Sequence, residues 1–356
     1  MKLVNNFQFD PRIKDGYYIA DYFKKTVHIL KTFHPNQQIT MQWFQRKDNI
    51  MLSGIQEVLA LIKFASPNYQ NLKIWTLNDG DLISPLEPVL RIEGLYQDFG
   101  WLEGMIDGIL SRNCSIATNF YEIQKAANHK TVLNMNDRAD LYANQQSDGY
   151  SAYIAGCKFF VSDASIEYFK DDLTIPQPSG TMPHALIQAF DGNTLEATKA
   201  FAQAFPDNNL VSLVDYNNDC VTQAVEVANY FGEKLYAVRL DTSGNLIDQT
   251  LAQKKDQFPI DANLYGVNQY LVREVRKGLD AAGHQHVKII VSSGFTAEVI
   301  AQFEKANVPV DIYGVGQAIT KKRTDFTGDA VLIDGVKQAK VGRTYLESTR
   351  LKVYKF

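Results

Sequence analysis

The sequence predicts an α/β protein: an irregular, broken α/β barrel joined to a smaller α/β domain. Three observations carry this. From Leu210 onward, short apolar strands alternate with segments that carry apolar residues at helical spacing. Two consecutive strands, Val287 to Val291 and Val310 to Tyr313, each run into a glycine-bearing loop, Ser292-Ser293-Gly294 and Gly314-Val315-Gly316. Near the C-terminus, Asp334-Gly335 stands between Ala330-Val331-Leu332-Ile333 and Val336 to Lys340, a strong two-residue hairpin signal.

The second observation organises the rest. Val299, Ile300 and Phe303 lie at helical spacing between the two strands, so the stretch from Val287 to Gln317 predicts a βαβ unit. Parallel strands in such a unit end on one edge of the sheet. Both loops should therefore turn backbone N–H groups, and the positive end of the following helix, toward a single anion. Either loop alone would pass for a tight turn.

The chain has 356 residues and a formal net charge of −4, so it is long enough for two cores and carries no global basic field for nucleic acid or an anionic membrane. An anion site must be local. The segment from Met1 to Asp10 has no apolar signal-like core and no run reaches membrane-spanning length, which leads to an expected cytoplasmic location. Cys114, Cys157 and Cys220 are widely separated and odd in number, which predicts buried free thiols.

Among the N-terminal elements, Leu52, Ile55, Val58, Leu59 and Ile62 predict an amphipathic helix over Asn49 to Phe64. Leu90 and Ile92 alternate with Arg91 and Glu93, the period of a half-buried strand. The C-terminal hairpin is expected to extend this N-terminal sheet, which sets a small domain of residues 1–118 plus 325–356 around a barrel of residues 119–324.

Within the barrel, Leu210 to Val214 ends in Asp215, and Val221, Ala224, Val225 and Ala228 form a helical stripe that stops near Gly232. Leu235 to Val238 runs into Arg239-Leu240-Asp241, followed by a helix expected from about Asn263 to Ala282 and closed by Gly283. Chemistry in such barrels gathers at the C-terminal strand ends. Those ends carry Asp215, Arg239 with Asp241, the Ser292 loop and the Gly314 loop: carboxylates, a guanidinium and phosphate loops, the set expected for a phosphorylated sugar with a divalent cation. Arg239 and Asp241 are two apart on a strand and can address one ligand; the alternative is a structural ion pair at the rim. Asp215 competes with Asp219 to cap the next helix.

Gly180-Thr181-Met182-Pro183-His184-Ala185 then makes the chain resemble the nicotinate phosphoribosyltransferase family, and its archaeal-type branch in particular. The resemblance runs almost end to end, through Ile92 to Gly100, Ile116-Ala117-Thr118, Leu213-Val214-Asp215, Val238 to Thr242, both glycine loops, Asp325-Phe326-Thr327 and Ala339-Lys340. It implies synthesis of nicotinate mononucleotide and diphosphate from nicotinate and phosphoribosyl diphosphate in NAD biosynthesis, with Mg²⁺ and with ATP as co-substrate. It also implies a homodimer whose active sites are shared between subunits. By resemblance, Arg138 addresses the pyridine ring or its carboxylate, Arg239 and Asp241 the ribose and its neighbours, with Asp241 near Mg²⁺. Ser292, Ser293, Gly294, Gly314 and Gly316 hold the phosphate, and Ser162, Thr181 and Asp215 are further substrate contacts. His184 is the phosphorylated histidine, and Tyr22 or Phe23 reaches the neighbouring subunit's base pocket.

The chain departs from the family pattern near the base pocket: Arg138-Ala139-Asp140 lacks the second basic residue, Phe159-Phe160 replaces a typical glycine before Ser162, and Ser293 replaces a glycine of the phosphate loop. Nicotinamide or another small heterocycle is the enzyme alternative. Quinolinate, a dicarboxylate, would need two cationic partners. A non-catalytic nucleotide-binding relative is the alternative from another class. His28, His34, His129, His284 and His286 fall outside the motifs and are assigned to surface or packing.

Overall fold

Alternation of strand and helix after residue 130 becomes a six-stranded, wholly parallel sheet in the computed structural model, which describes residues 6–356. Its spatial order is Phe159–Phe160, Thr131–Asn134, Ile312–Val315, Lys288–Val291, Leu235–Leu240 and Leu210–Leu213. The first and last strands each have one neighbour, so the curved sheet stays open and the barrel is broken. Burial on both faces explains the continuous apolar runs. Ile289 and Val291 enter the large core, while Ile290 packs with Val211 and Ala237 on the other face.

Helices cover the sheet. The helix Gln269–Ala281 buries Leu271, Val272, Val275 and Leu279 completely, each contributing about 1.5–3 kcal/mol. It starts later than the periodicity suggests. Asn268 accepts from the amides of Tyr270 and Leu271 at 3.0 and 3.1 Å, and Gly266 turns with φ 62°, so Asn263 to Asn268 is a loop capped into the helix. Gly283, at φ 85°, closes the far end as expected. The helix Ala297–Lys305 joins the two glycine-loop strands, which pair in parallel through Ile290 and Ile312.

The second six-stranded sheet is antiparallel and combines both chain ends. Thr327–Ile333 pairs with Gln38–Phe44, which pairs with Leu90–Leu95, then Lys73–Thr76 and finally Lys352–Tyr354. The Asp334-Gly335 turn has φ 49° and 79°, the left-handed pair that a tight hairpin requires. Two expectations change here. Ile50 and Met51 form a strand with Leu82–Ile83, and the helix begins only at Ile55, after Gly54 at φ 102°. Asp79 accepts from the Ile55 and Gln56 amides at 2.8 and 3.1 Å and caps this helix from outside its sequence. Arg91 is buried instead of facing solvent, because the C-terminal segment covers that face: its guanidinium lies 4.1 Å from the centre of the Tyr345 ring and donates to the Leu346 carbonyl.

The long helix Glu103–Ala126 runs unbroken across residue 118 and serves both cores. Ile106, Leu110 and Cys114 join the antiparallel sheet's core, and Ile116, Ala117, Phe120 and Ile123 join the barrel's. All three cysteines are buried free thiols. No helix of the described residues is long and apolar enough to cross a membrane.

Gly149 shows how tightly the helices meet. It lies inside the helix Gln145–Ile154, where alanine would ordinarily add about 1 kcal/mol, but a Cβ there would stand 1.9 Å from the Ser165 carbonyl oxygen. Gly149→Ala is therefore expected to lower stability by about 3 kcal/mol. Urea unfolding measures it, and an unchanged or raised midpoint would refute the close contact.

Candidate active site

The C-terminal ends of the parallel strands surround a cavity of about 710 Å³. Its wall brings together Arg138, Arg239, Asp241, Ser292, Ser293, Gly294, Gly314 and Gly316 from the sequence-predicted set. Met135, Phe295, Thr296, Gln317, Ala318 and Lys321 complete it and were not anticipated. The basic run Lys321-Lys322-Arg323 directly after the second glycine loop was the available signal for Lys321.

The glycines serve different needs. Gly294 has φ 81° with open space beside it, so backbone conformation selects it. Gly314 and Gly316 are required by close approach: a Cβ would meet the Met135 sulfur at 2.6 Å and the Met135 carbonyl oxygen at 2.7 Å. Ser293 also has positive φ, 78°, although it carries a side chain. Strained backbone of this kind persists where surrounding structure enforces it. The amides of Ser293, Gly294, Phe295 and Gly316 donate to no acceptor among the described residues.

The charged groups share this wall with the loops. Arg239 is buried, donates to the Met182 carbonyl at 2.9 Å and keeps a buried, unpartnered Nε. Burial lowers its pKa, and the carboxylates of Asp241 and Asp215 oppose the shift. Asp241 accepts from the Ser292 hydroxyl at 2.7 Å, so it is tied to the first glycine loop and is not consumed in an ion pair with Arg239.

His184 opens the helix His184–Ala189 and meets Asp215 at 2.9 Å from Nε2. The pair stands beside the main cavity and not in its wall. Asp219 caps the helix Cys220–Phe231, which frees Asp215 for the histidine. The Asp215 side chain is 6% exposed, its second oxygen is buried without a partner, and its pKa is raised by burial, with His184 pulling it down and Asp241 pushing it up. An Nε2–H donated to Asp215 leaves the lone pair on Nδ1, and the 45% exposure of the His184 side chain makes that nitrogen reachable.

Other predicted residues stand elsewhere. Ser162 caps the helix Asp163–Ile166 and donates to Gln145 at 2.7 Å, outside the cavity. Thr181 is half-buried in the loop before His184, next to the carbonyl that Arg239 holds. Tyr22 is 64% exposed on the helix Asp21–Phe33, whereas Phe23 is buried in the antiparallel sheet's core. Asp140 pairs with Arg112, which also grips Asp148, so its charge is answered outside the cavity.

This architecture has known counterparts. The quinolinate phosphoribosyl transferase N-terminal domain model matches residues 22–114. The structure of nicotinate-nucleotide pyrophosphorylase from Pyrococcus furiosus superposes with a TM-score of 0.79 at 30% identity, over 95% of this chain and 80% of that one. The chain belongs to the type II phosphoribosyltransferase family. Among curated type II relatives, nicotinate phosphoribosyltransferase of Bacillus subtilis is 26% identical over 245 residues, and pncB2 of Mycobacterium tuberculosis is 28% identical over 251. Each alignment takes in 68% of this chain, which spans a little under half of those relatives, 44% and 47%. Human nicotinic acid phosphoribosyltransferase shares the type II fold at a TM-score of 0.68 and 16% identity, over 92% of this chain and 77% of that one.

Proposed function

We propose that this protein is a nicotinate phosphoribosyltransferase that joins nicotinate to phosphoribosyl diphosphate, releasing diphosphate, in NAD synthesis. The observation that carries the reading is the cavity whose wall combines unpaired amides of two glycine loops with Arg239, Asp241 and Arg138. The amides suit a sugar phosphate. Arg138, a planar fork without a second base beside it, suits one carboxylate on a flat ring. With Asp140 engaged by Arg112, the case against a dicarboxylate rests on the missing base at Ala139.

In the reaction the pyridine nitrogen forms a bond to the anomeric carbon as the bond to the diphosphate oxygen breaks. The ring nitrogen is already a nucleophile, so no general base is needed. The chain's residues bind and orient: Arg138 aligns the ring, the loops hold the phosphate end, and Asp241 lies toward the ribose and its oxocarbenium-like charge. Asp241, in the cavity wall with one oxygen held by Ser292, fits Mg²⁺, which takes one or two carboxylates with substrate oxygens and water. When bound, Mg²⁺ would neutralise the diphosphate.

We infer further that Nδ1 of His184 takes the γ-phosphoryl of ATP as the bond to the β-phosphate oxygen breaks and ADP leaves, with Asp215 fixing the tautomer, and that the active unit is a homodimer in which exposed Tyr22 reaches the partner's base pocket. Phe23 anchors the helix that presents it. A cytoplasmic location, alongside ATP, belongs to the same reading, and cell fractionation tests it.

With phosphoribosyl diphosphate, Mg²⁺ and each base in turn, nicotinate is expected to give the fastest diphosphate release, and Asp241→Asn to lower it at least about a hundredfold. Release with nicotinamide instead would reassign the base, and release with none would favour a non-catalytic binder. His184→Ala should keep slow ATP-independent synthesis while losing ATP stimulation and acid-labile phosphate incorporation; stimulation equal to wild type would remove the phosphohistidine. Mixing Tyr22→Ala with Arg239→Ala protein should recover activity through hybrid dimers with one intact site, and subunit exchange without recovery would count against sharing.

A further inference from the structure

Lys321 is a cation of the cavity wall with no direct partner among the described residues. Arg239 faces Asp241 and Asp215, whereas the Lys321 ammonium makes no hydrogen bond or ion pair among the described residues. Its neighbours are spoken for. Lys322 pairs with Glu122, and Glu298 is held first by the Thr296 hydroxyl, then by Lys322 at 3.8 Å, with Lys321 adding only a weaker attraction at longer range.

The position of Lys321 is held from below. After Gly316 the chain makes the short turn Gln317–Thr320, in which the Ile319 amide donates to the Gly316 carbonyl at 3.0 Å. Buried Asn119, on the long helix, donates to the carbonyls of Ile319 at 3.0 Å and Lys322 at 2.9 Å, and its own oxygen accepts from the Lys322 amide at 3.3 Å. Ile319 is fully buried beneath the turn. These contacts fix the register that sends Lys322 outward to Glu122 and leaves Lys321 in the cavity wall. Lys321 also borders a smaller cavity with Thr296, Ala297, Glu298 and Ala318, which locates it on the flank of the glycine loops.

A phosphate monoester carries nearly two negative charges near neutral pH. Loop amides supply donors but no net charge, and the carboxylates around Arg239 oppose its charge. We propose that Lys321 is a substrate-binding residue that supplies the missing charge by holding the 5′-phosphate of phosphoribosyl diphosphate at the glycine loops; this rests on the phosphoribosyltransferase reading above. A hydrogen bond to a charged group of this kind corresponds to about a ten- to hundredfold change in affinity.

The test is calorimetric titration of wild type, Lys321→Gln and Lys321→Arg with phosphoribosyl diphosphate, ribose 5-phosphate and inorganic diphosphate. The side chain is exposed, so all three proteins are expected to melt alike. Lys321→Gln should bind phosphoribosyl diphosphate and ribose 5-phosphate about ten- to a hundredfold more weakly, with inorganic diphosphate unchanged, and Lys321→Arg should stay within about threefold of wild type. In turnover, the KM for phosphoribosyl diphosphate should rise while the KM for nicotinate holds. Unchanged ribose 5-phosphate affinity in Lys321→Gln, or a loss confined to inorganic diphosphate, would overturn the assignment while leaving the enzyme reading intact. Wild-type protein that binds neither phosphoribosyl compound would overturn the enzyme reading itself, and this assignment with it.

Discussion

The site depends on where the parallel hydrogen-bond ladder stops. The Val214 amide donates to the Arg239 carbonyl at 3.1 Å, Ser292 to Leu240 at 2.9 Å, and Met135 to Val315 at 2.8 Å. Each pairing extends to the strand end, and then the backbone turns away. Because the strands are parallel, these ends fall on one edge, and the next amides are released together toward a common space. An antiparallel sheet of the same strands would divide them between two edges. The close approach of Met135 to Gly314 and Gly316 belongs to this arrangement, since neighbouring ends must come near enough to enclose a ligand.

The charged groups are balanced around that edge. Burial disfavours the charge on Arg239, and Asp241 and Asp215 offset the penalty. The same burial disfavours the ionised form of Asp215, and His184 offsets that. Asp215 thus sits electrostatically between the histidine and the cavity. A change of charge on His184 would be felt by Asp215 without movement of the backbone.

Much of this was legible because local periodicity and backbone chemistry have short-range causes. The βαβ unit around the two glycine loops, the strands ending at Asp215 and Asp241, and the Asp334-Gly335 hairpin all follow from patterns a few residues long. What was illegible came from contacts distant in sequence. Ile50 and Met51 continue a helical pattern but pair with Leu82 and Ile83, and the charge of Arg91 gave no sign that Tyr345 would cover it. Tyr22 and Phe23 are adjacent and similar, yet consecutive helical positions point in different directions, so one enters the core and the other meets solvent. Ser162 was placed by motif alone, and its hydroxyl caps a helix. Lys321 stood in a plain basic run until Asn119 fixed the turn's register.

The departures from the family pattern fall mostly outside the cavity. Asp140 is held by Arg112, and Phe160 is buried against Phe169 in the barrel core, with ring centres 5.4 Å apart. Neither side chain reaches the cavity wall. Ser293 does, but it keeps the left-handed backbone a glycine would supply, so the loop's donors are retained at the cost of local strain. Within one subunit, then, Arg138 keeps its place in the cavity wall, and the missing base at 139 is the one change directly beside it. An altered motif need not mean an altered pocket: what matters is whether the new side chain reaches the ligand's space, and here two of the three are absorbed by the protein's own packing.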